Sequence, residues 1–173
     1  GGADTQAIAV TVTNVNETPV ITSAAAVSAA ENQTAVTTVT SSDVDGGAAV
    51  YSIAGGADAA LFTINASTGA LTFLAAPNFE APADNGGNNV YDVTVQVDDG
   101  NGGTDTQAIA VSVTNVNEAP IITSNGGGVT AAVSAAENQI AVTTVTSTDV
   151  DGGSAVYSIA GGADAALFTI NAS

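Results

Sequence analysis

The sequence predicts an all-β protein made of tandem seven-stranded sandwiches, each about 100 residues long. Three observations carry this. Residues 25–67 and 131–173 agree at 40 of 43 positions, so one module is written more than once. Short Val/Ile/Thr/Tyr/Phe runs alternate with Gly/Asn/Asp/Ser clusters, the pattern of strands and turns. No window shows a capped apolar period of about 3.6 residues, so no helix is expected.

The elements follow in order. Ile8, Val10 and Val12 alternate with polar residues and predict a strand. Residues 27–30, 35–40 and 50–53 predict the next three. Residues 61–64 and 70–73 flank Asn65-Ala66-Ser67-Thr68-Gly69, a glycine-containing hairpin loop. In 91–97, Tyr91, Val93, Val95 and Val97 fall on one face and Asp92, Thr94 and Gln96 on the other. Ile109, Val111 and Val113 repeat that pattern. Tyr51 and Phe62 are core candidates. The alanine runs are short and flanked by Thr and Val, so they are expected to be extended.

A second block repeats as well. Residues 4–19 and 105–120 agree at 14 of 16 positions. The two repeats have offsets of 101 and 106, and the difference is an insertion around Asn125-Gly126-Gly127-Gly128. A period near 100 exceeds the roughly 20–45 residues of a solenoid repeat and fits one small domain per repeat. The expected division is 1–19 as the last strand and linker of a preceding repeat, 20–119 as a complete repeat, and 120–173 as the first half of a following one. An excerpt of a longer protein accounts for these ends.

Composition narrows the function. The chain has no Lys, Arg or His against 17 Asp and Glu, a net charge of −17. No side-chain salt bridge is possible, and no basic patch exists for nucleic acid or anionic lipid. There is no Cys for a disulfide or thiol. No run of about 20 apolar residues is present to span a membrane as a helix. Apolar residues make up 45% and are regularly spaced, which favours folding over disorder. Acids gathered in one place then need cations.

The acids do recur in fixed contexts. Glu31 and Glu137 sit in Ala-Ala-Glu-Asn-Gln. Asp43/Asp45 and Asp149/Asp151 sit in Asp-Val-Asp-Gly-Gly. Glu80 follows Asn78-Phe79, Asp98-Asp99 ends the longest predicted strand, and Glu17 and Glu118 lie just before Pro19 and Pro120. All fall at strand ends and loops. Oxygen-only ligands of this kind suit a hard cation, Ca²⁺ above all, and the lack of His and Cys argues against zinc, copper or iron. Asp58, Asp84, Asp92 and Asp105 are expected to be exposed charges, and Asp98 to be solvated. Gly55-Gly56-Ala57-Asp58 has no Gly-Lys-Ser/Thr after it, so phosphate binding is not expected.

Seven pieces in order resemble tandem cadherin-like repeats of large bacterial surface and adhesin proteins. They are Ala-Glu-Asn at 30–32, Ser-Asp-Val-Asp at 42–45, Val-Tyr-Ser-Ile at 50–53, Phe-Thr-Ile-Asn-Ala-Ser-Thr-Gly-Ala-Leu-Thr-Phe at 62–73, Asn-Phe-Glu at 78–80, Tyr-Asp-Val-Thr-Val-Gln-Val-Asp-Asp at 91–99 and Asn-Val-Asn-Glu-Ala-Pro at 115–120. The resemblance implies cadherin-like, Ig-like Greek-key sandwiches joined end to end, with calcium between consecutive repeats. Carried over residue by residue, it assigns one junction to Glu31, Asn78, Glu80, Asn115, the Val116 carbonyl, Asn117 and Glu118, with Asp149 and Asp151 from the next repeat. For the earlier junction it assigns Asn14, Asn16, Glu17, Asp43, Asp45 and Asp99. The family's linker usually has Asp where Asn14 and Asn115 stand, and its central loop often has Asp at the place of Asn78. Fewer charges imply weaker sites or fewer ions.

The leading functional expectation is a non-enzymatic, calcium-rigidified spacer of a long extracellular adhesin or surface fibre. Its partners would be neighbouring repeats of the same chain, or identical chains in a fibre. Three alternatives are a homophilic adhesion module, a glycan-binding module and a self-assembling filament subunit. Few aromatics and near-identical copies speak against dedicated recognition sites. An enzyme would have only carboxylate pairs for acid–base work, and none stands apart from the metal pattern.

Overall fold

A computed structural model describes residues 1–173. The chain forms two compact units, Gly1–Thr114 and Asn115–Ser173. The first is a two-sheet sandwich. Its strands are β1 (Val20–Ile21), β2 (Ala26–Ala30), β3 (Ala35–Thr38), β4 (Ser41–Ser42), β5 (Val50–Gly55), β6 (Phe62–Ile64), β7 (Ala70–Phe73), β8 (Val90–Asp98) and β9 (Thr104–Thr114). One sheet has the order β2-β9-β8-β5 and the other β3-β7-β6; β1 and β4 pair separately. β2 runs parallel to β9, and the other pairings are antiparallel.

Alternation builds the core. Tyr91, Val93, Val95 and Val97 of β8 are buried, as are Ile109, Val111 and Val113 of β9. They meet Phe62, Leu71 and Phe73 of the opposite sheet. Phe62 and Phe73 stack at 4.6 Å between ring centroids, and Tyr91 meets Phe73 edge-on at 5.2 Å. Tyr51 is buried too, and its hydroxyl lies 2.9 Å from Ser41 Oγ.

The hairpin loop forms as its residues dictate. Asn65 Oδ1 accepts the Ser67 and Thr68 N–H groups, both at 3.0 Å. Gly69 adopts φ +69°, and a Cβ there would collide with the Val39 carbonyl oxygen. Only glycine takes this conformation and this approach without strain.

The strand expected at 8–12 is not present. Residues 1–19 contain no strand, and Ile8, Val10 and Val12 are exposed. Strand-forming sequence needs a pairing edge. Residues 4–14 nearly duplicate 105–115, and β9 already occupies the place between β2 and β8.

The second unit has one small sheet, β10 (Ile121–Ile122) antiparallel to β11 (Ser147–Thr148). It reproduces the β1–β4 pairing of the first unit, and Ser147 Oγ sits 3.1 Å from the Tyr157 hydroxyl as Ser41 does from Tyr51. Apart from β11, residues 133–170 form no counterparts of the first unit's strands. In the first unit their counterparts pair with β7, β8 and β9, and residues 121–173 contain no second copy of those strands.

Phe73 is 3% exposed and its neighbour Leu74 is 64% exposed. Phe73→Ala is therefore expected to cost about 3–5 kcal/mol, and Leu74→Ala less than about 0.5 kcal/mol. Denaturant unfolding followed by the sheet signal checks both.

Candidate metal centre

Three loops of the first unit meet where β4, β8 and the segment before β1 converge. Asp43 and Asp45 follow β4, Asp99 follows β8, and Asn14, Asn16 and Glu17 precede β1. Asn14 Nδ2 donates to Asp45 Oδ1 at 2.6 Å, and the Glu17 backbone N–H donates to Asp45 Oδ2 at 2.6 Å. Asn16 Nδ2 donates to Asp99 Oδ2 at 2.8 Å. Asp99 Oδ1 accepts the N–H groups of Asn101 at 2.7 Å and Gly103 at 2.9 Å. A Cβ at Gly103 would collide with Asp99 Oδ2, so the close seat requires glycine.

Asp43 differs from its neighbours. Its Oδ1 accepts the Asp45 N–H at 2.8 Å, but its Oδ2 is buried with no hydrogen-bond partner. An orphaned buried carboxylate oxygen is costly unless something positive meets it. A cleft of about 140 Å³ opens here, lined by Pro19, Ser41, Asp43, Gly46, Gly47, Ala49 and Asp99. The donor set is all oxygen, which fits a hard divalent cation.

Hydrogen bonding sets the acidities. The Glu17 N–H, then the Asn14 amide, hold Asp45 below the usual Asp value. The Asn16 amide does the same for Asp99, reinforced by the Asn101 N–H. Glu17 is raised by its hydrogen bond and charge repulsion with Asp45.

Two further acids lie elsewhere in this unit. Glu31 ends at the base of β2 and is 2% exposed. Its Oε2 accepts the Phe79 N–H at 2.8 Å, and Asn78 Oδ1 accepts the Ala81 N–H at 2.8 Å. This turn places Glu80 so that its carboxylate has an oxygen within 4.8 Å of one from Glu31.

The second unit repeats the linker geometry. Asn115 Nδ2 donates to Asp151 Oδ1 at 2.8 Å, and the Glu118 N–H donates to Asp151 Oδ2 at 2.7 Å. Asp149 Oδ1 accepts the Asp151 N–H at 3.1 Å. Asn117 Nδ2 donates to the Glu118 carbonyl at 2.7 Å, and Val116 lies exposed in the same strap. The same sequence at offsets of 101 and 106 thus builds the same asparagine–aspartate strap twice.

Asp58 and Asp84 overturn an expectation. They are 5% and 7% exposed, not surface charges. Asp58 accepts the N–H groups of Asn85 (2.7 Å) and Asp92 (2.8 Å). Asp84 accepts those of Asn88 and Asn89, both at 3.0 Å. Burial raises the Asp84 pKa, but these amides outweigh it and the net shift is downward. Asp105 is half-buried, and its Oδ2 accepts the Ile21 N–H at 2.8 Å. The signal was the setting of Asp84 ahead of Asn85-Gly86-Gly87-Asn88-Asn89, a run that turns its amides inward. Asp92 is exposed, as expected.

A model of the bacterial Ig domain matches residues 16–112, more than half of the chain. The chain belongs to the bacterial Ig domain family. Among solved structures, this bacterial Ig domain chain is similar to human protocadherin-24 EC1-2, with TM-score 0.52 and 20% identity, over 63% of this chain and 49% of that one. A second crystal form gives TM-score 0.54 and 20% identity, over 80% and 62%. Protocadherin gammaB7 EC3-6, a cis-dimer structure, gives TM-score 0.52 and 22% identity, over 79% and 37%. The chain spans less than two thirds of each of these structures. At such identities the likeness shows the fold, a cadherin- and Ig-like β-sandwich. No curated protein matches the chain. No helix is long and apolar enough to cross a membrane.

Acid should loosen the first unit. Asp45 and Asp99 titrate lower folded than unfolded, so their contribution is complete above the unfolded Asp value of about 3.9 and is lost as pH falls through their folded values. Glu17, raised in the fold, partly offsets this. The denaturant midpoint is expected to fall between about pH 5 and about pH 3. Asp99→Asn should flatten that slope.

Proposed function

We propose that this chain is a calcium-binding structural spacer of an extracellular bacterial adhesin or surface fibre. One observation carries the reading. Glu31 and Glu80 bring carboxylate oxygens within 4.8 Å, and Glu31 is buried, in a chain with no Lys, Arg or His. Two ionised carboxylates this close repel, and a cation between them turns that repulsion into attraction. The orphaned Asp43 Oδ2 makes the same demand in the cleft beside Asp99.

In this reading Asp43, Asp45, Asp99, Asn14, Asn16 and Glu17 form one ligand set. Glu31, Asn78 and Glu80 form a second set in the same unit, and Asn115, Val116, Asn117, Glu118, Asp149 and Asp151 form a set in the second unit. A complete repeat spans 20–119, flanked by parts of a preceding and a following repeat. Bound calcium neutralises the acids and stiffens the straps. Extracellular calcium modules bind at about 10⁻⁴–10⁻³ M, which suits an environment outside cells. The role is mechanical, with neighbouring repeats as partners, and includes no catalysis.

The test is a thermal melt of the full chain, chelated and then with millimolar calcium. At about 100-fold excess over the dissociation constant the fold gains about 2.7 kcal/mol, and the melting temperature rises accordingly. Asp43→Asn and Glu31→Gln should each remove part of that gain. A melt indifferent to calcium contradicts the proposal.

A further inference from the structure

Residues 4–14 repeat the sequence of residues 105–115 at 10 of 11 positions. The one difference sets Thr11 against Ser112, which is exposed in β9. The residues that bury β9, namely Ile109, Val111 and Val113, are 1%, 0% and 4% exposed. Their counterparts Ile8, Val10 and Val12 are the same in type but 78%, 81% and 89% exposed, in a segment that joins no sheet. The first unit thus carries a second copy of a central strand, with the same inward face, lying unpaired.

β9 shows what covers this sequence. It lies parallel to β2, with Val27 beside Val111, and antiparallel to β8, with Val93 beside Ile109. In the same register residues 4–14 would set Val10 beside Val27 and Ile8 beside Val93. The same apolar side chains would be buried. That place in their own chain is out of reach. There Asn14 would stand where Asn115 stands, at the far end of the strand from Asp105. The Ile21 N–H donates to Asp105 Oδ2 at 2.8 Å, which holds β1 at the Asp105 end. Ten residues of strand span about 33 Å. The seven steps from Asn14 to Ile21 reach at most about 25 Å.

We propose that this chain exchanges strands with a second copy of itself: residues 4–14 of one copy take the place of β9, between β2 and β8, in another. The backbone joins the sheet on both sides, and Ile8, Val10 and Val12 fill the positions of Ile109, Val111 and Val113. The donated strand and the accepting place are different surfaces. The contact is therefore heterologous, and copies add head to tail. The two strands compete on nearly equal terms, because their buried residues are the same. Mass action then sets the balance, and the exchanged form builds up at high protein concentration or where β9 is released.

Disabling each strand in turn tests this. The 173-residue chain, refolded at high concentration, should yield oligomers by sedimentation. Val10→Asp should fold as well and lack them, because its change lies on an exposed segment. Val111→Asp puts an unpaired charge in the core and ejects β9 from its place. It is expected to keep its sheet signal and to sediment as two or more copies, rescued by residues 4–14 of a neighbour. Val10→Asp combined with Val111→Asp should lose the first unit's sheet signal. The chain has no Cys, so an introduced pair reads the register. Gln96 lies opposite Thr106, the counterpart of Thr5. In the Val111→Asp background, copies with Thr5→Cys should cross-link on oxidation to copies with Gln96→Cys. Thr11→Cys, about 20 Å further along the strand, should not. Four results overturn the proposal: oligomers indifferent to Val10→Asp, a Val111→Asp chain no better folded than the double variant, a Val111→Asp chain folded as a monomer, or equal cross-linking from positions 5 and 11.

Discussion

Every carboxylate of this chain must be satisfied without a single cationic side chain. That constraint shapes the molecule. In its place the fold uses N–H groups. Asp58 takes two backbone amides, Asp84 takes two, Asp99 takes amides and the Asn16 side chain, and Asp45 takes the Asn14 side chain and the Glu17 N–H. Each donor favours the ionised form, which is why Asp45, Asp84 and Asp99 are more acidic than usual. The Asn- and Gly-rich loops follow from the same need. Asparagine supplies extra donors, and glycine lets backbone amides approach a carboxylate closely, as at Gly103.

Amide donors do not meet the whole demand. The Glu31–Glu80 pair and the Asp43 Oδ2 atom remain where like charge or an orphaned oxygen asks for something positive. These positions coincide with the recurring acidic motifs of the sequence. The sandwich core contributes nothing to that chemistry; it fixes the strand ends from which the acids project. Burial of Tyr91, Val93, Val95 and Val97 on one face of β8 is what delivers Asp99 to the end of the strand.

The sequence was legible wherever a local pattern determines a local structure. The alternation in 91–97 gave the buried face of β8, Asn65–Gly69 gave the hairpin, and the recurrence of Asp-x-Asp marked residues that the structure joins to the linker asparagines. It was less legible where a partner decides the outcome. Residues 8–12 have strand-forming sequence, but the place their near-duplicate fills, between β2 and β8, is taken by β9. Residues 133–170 likewise contain strand sequences without their pairing neighbours. Asp58 and Asp84 looked like surface charges because composition does not reveal where loop amides point.

The central claim is that the clustered acids bind calcium as ligands and are not merely screened. Isothermal titration of the chelated 173-residue chain with calcium, run beside sodium chloride of matched ionic strength, addresses it most directly. The account predicts a saturable calcium isotherm, weakened by Asp43→Asn, with no saturable response to sodium; exposed charges alone would be screened by either salt. A non-saturable response, or one that sodium reproduces, would contradict it.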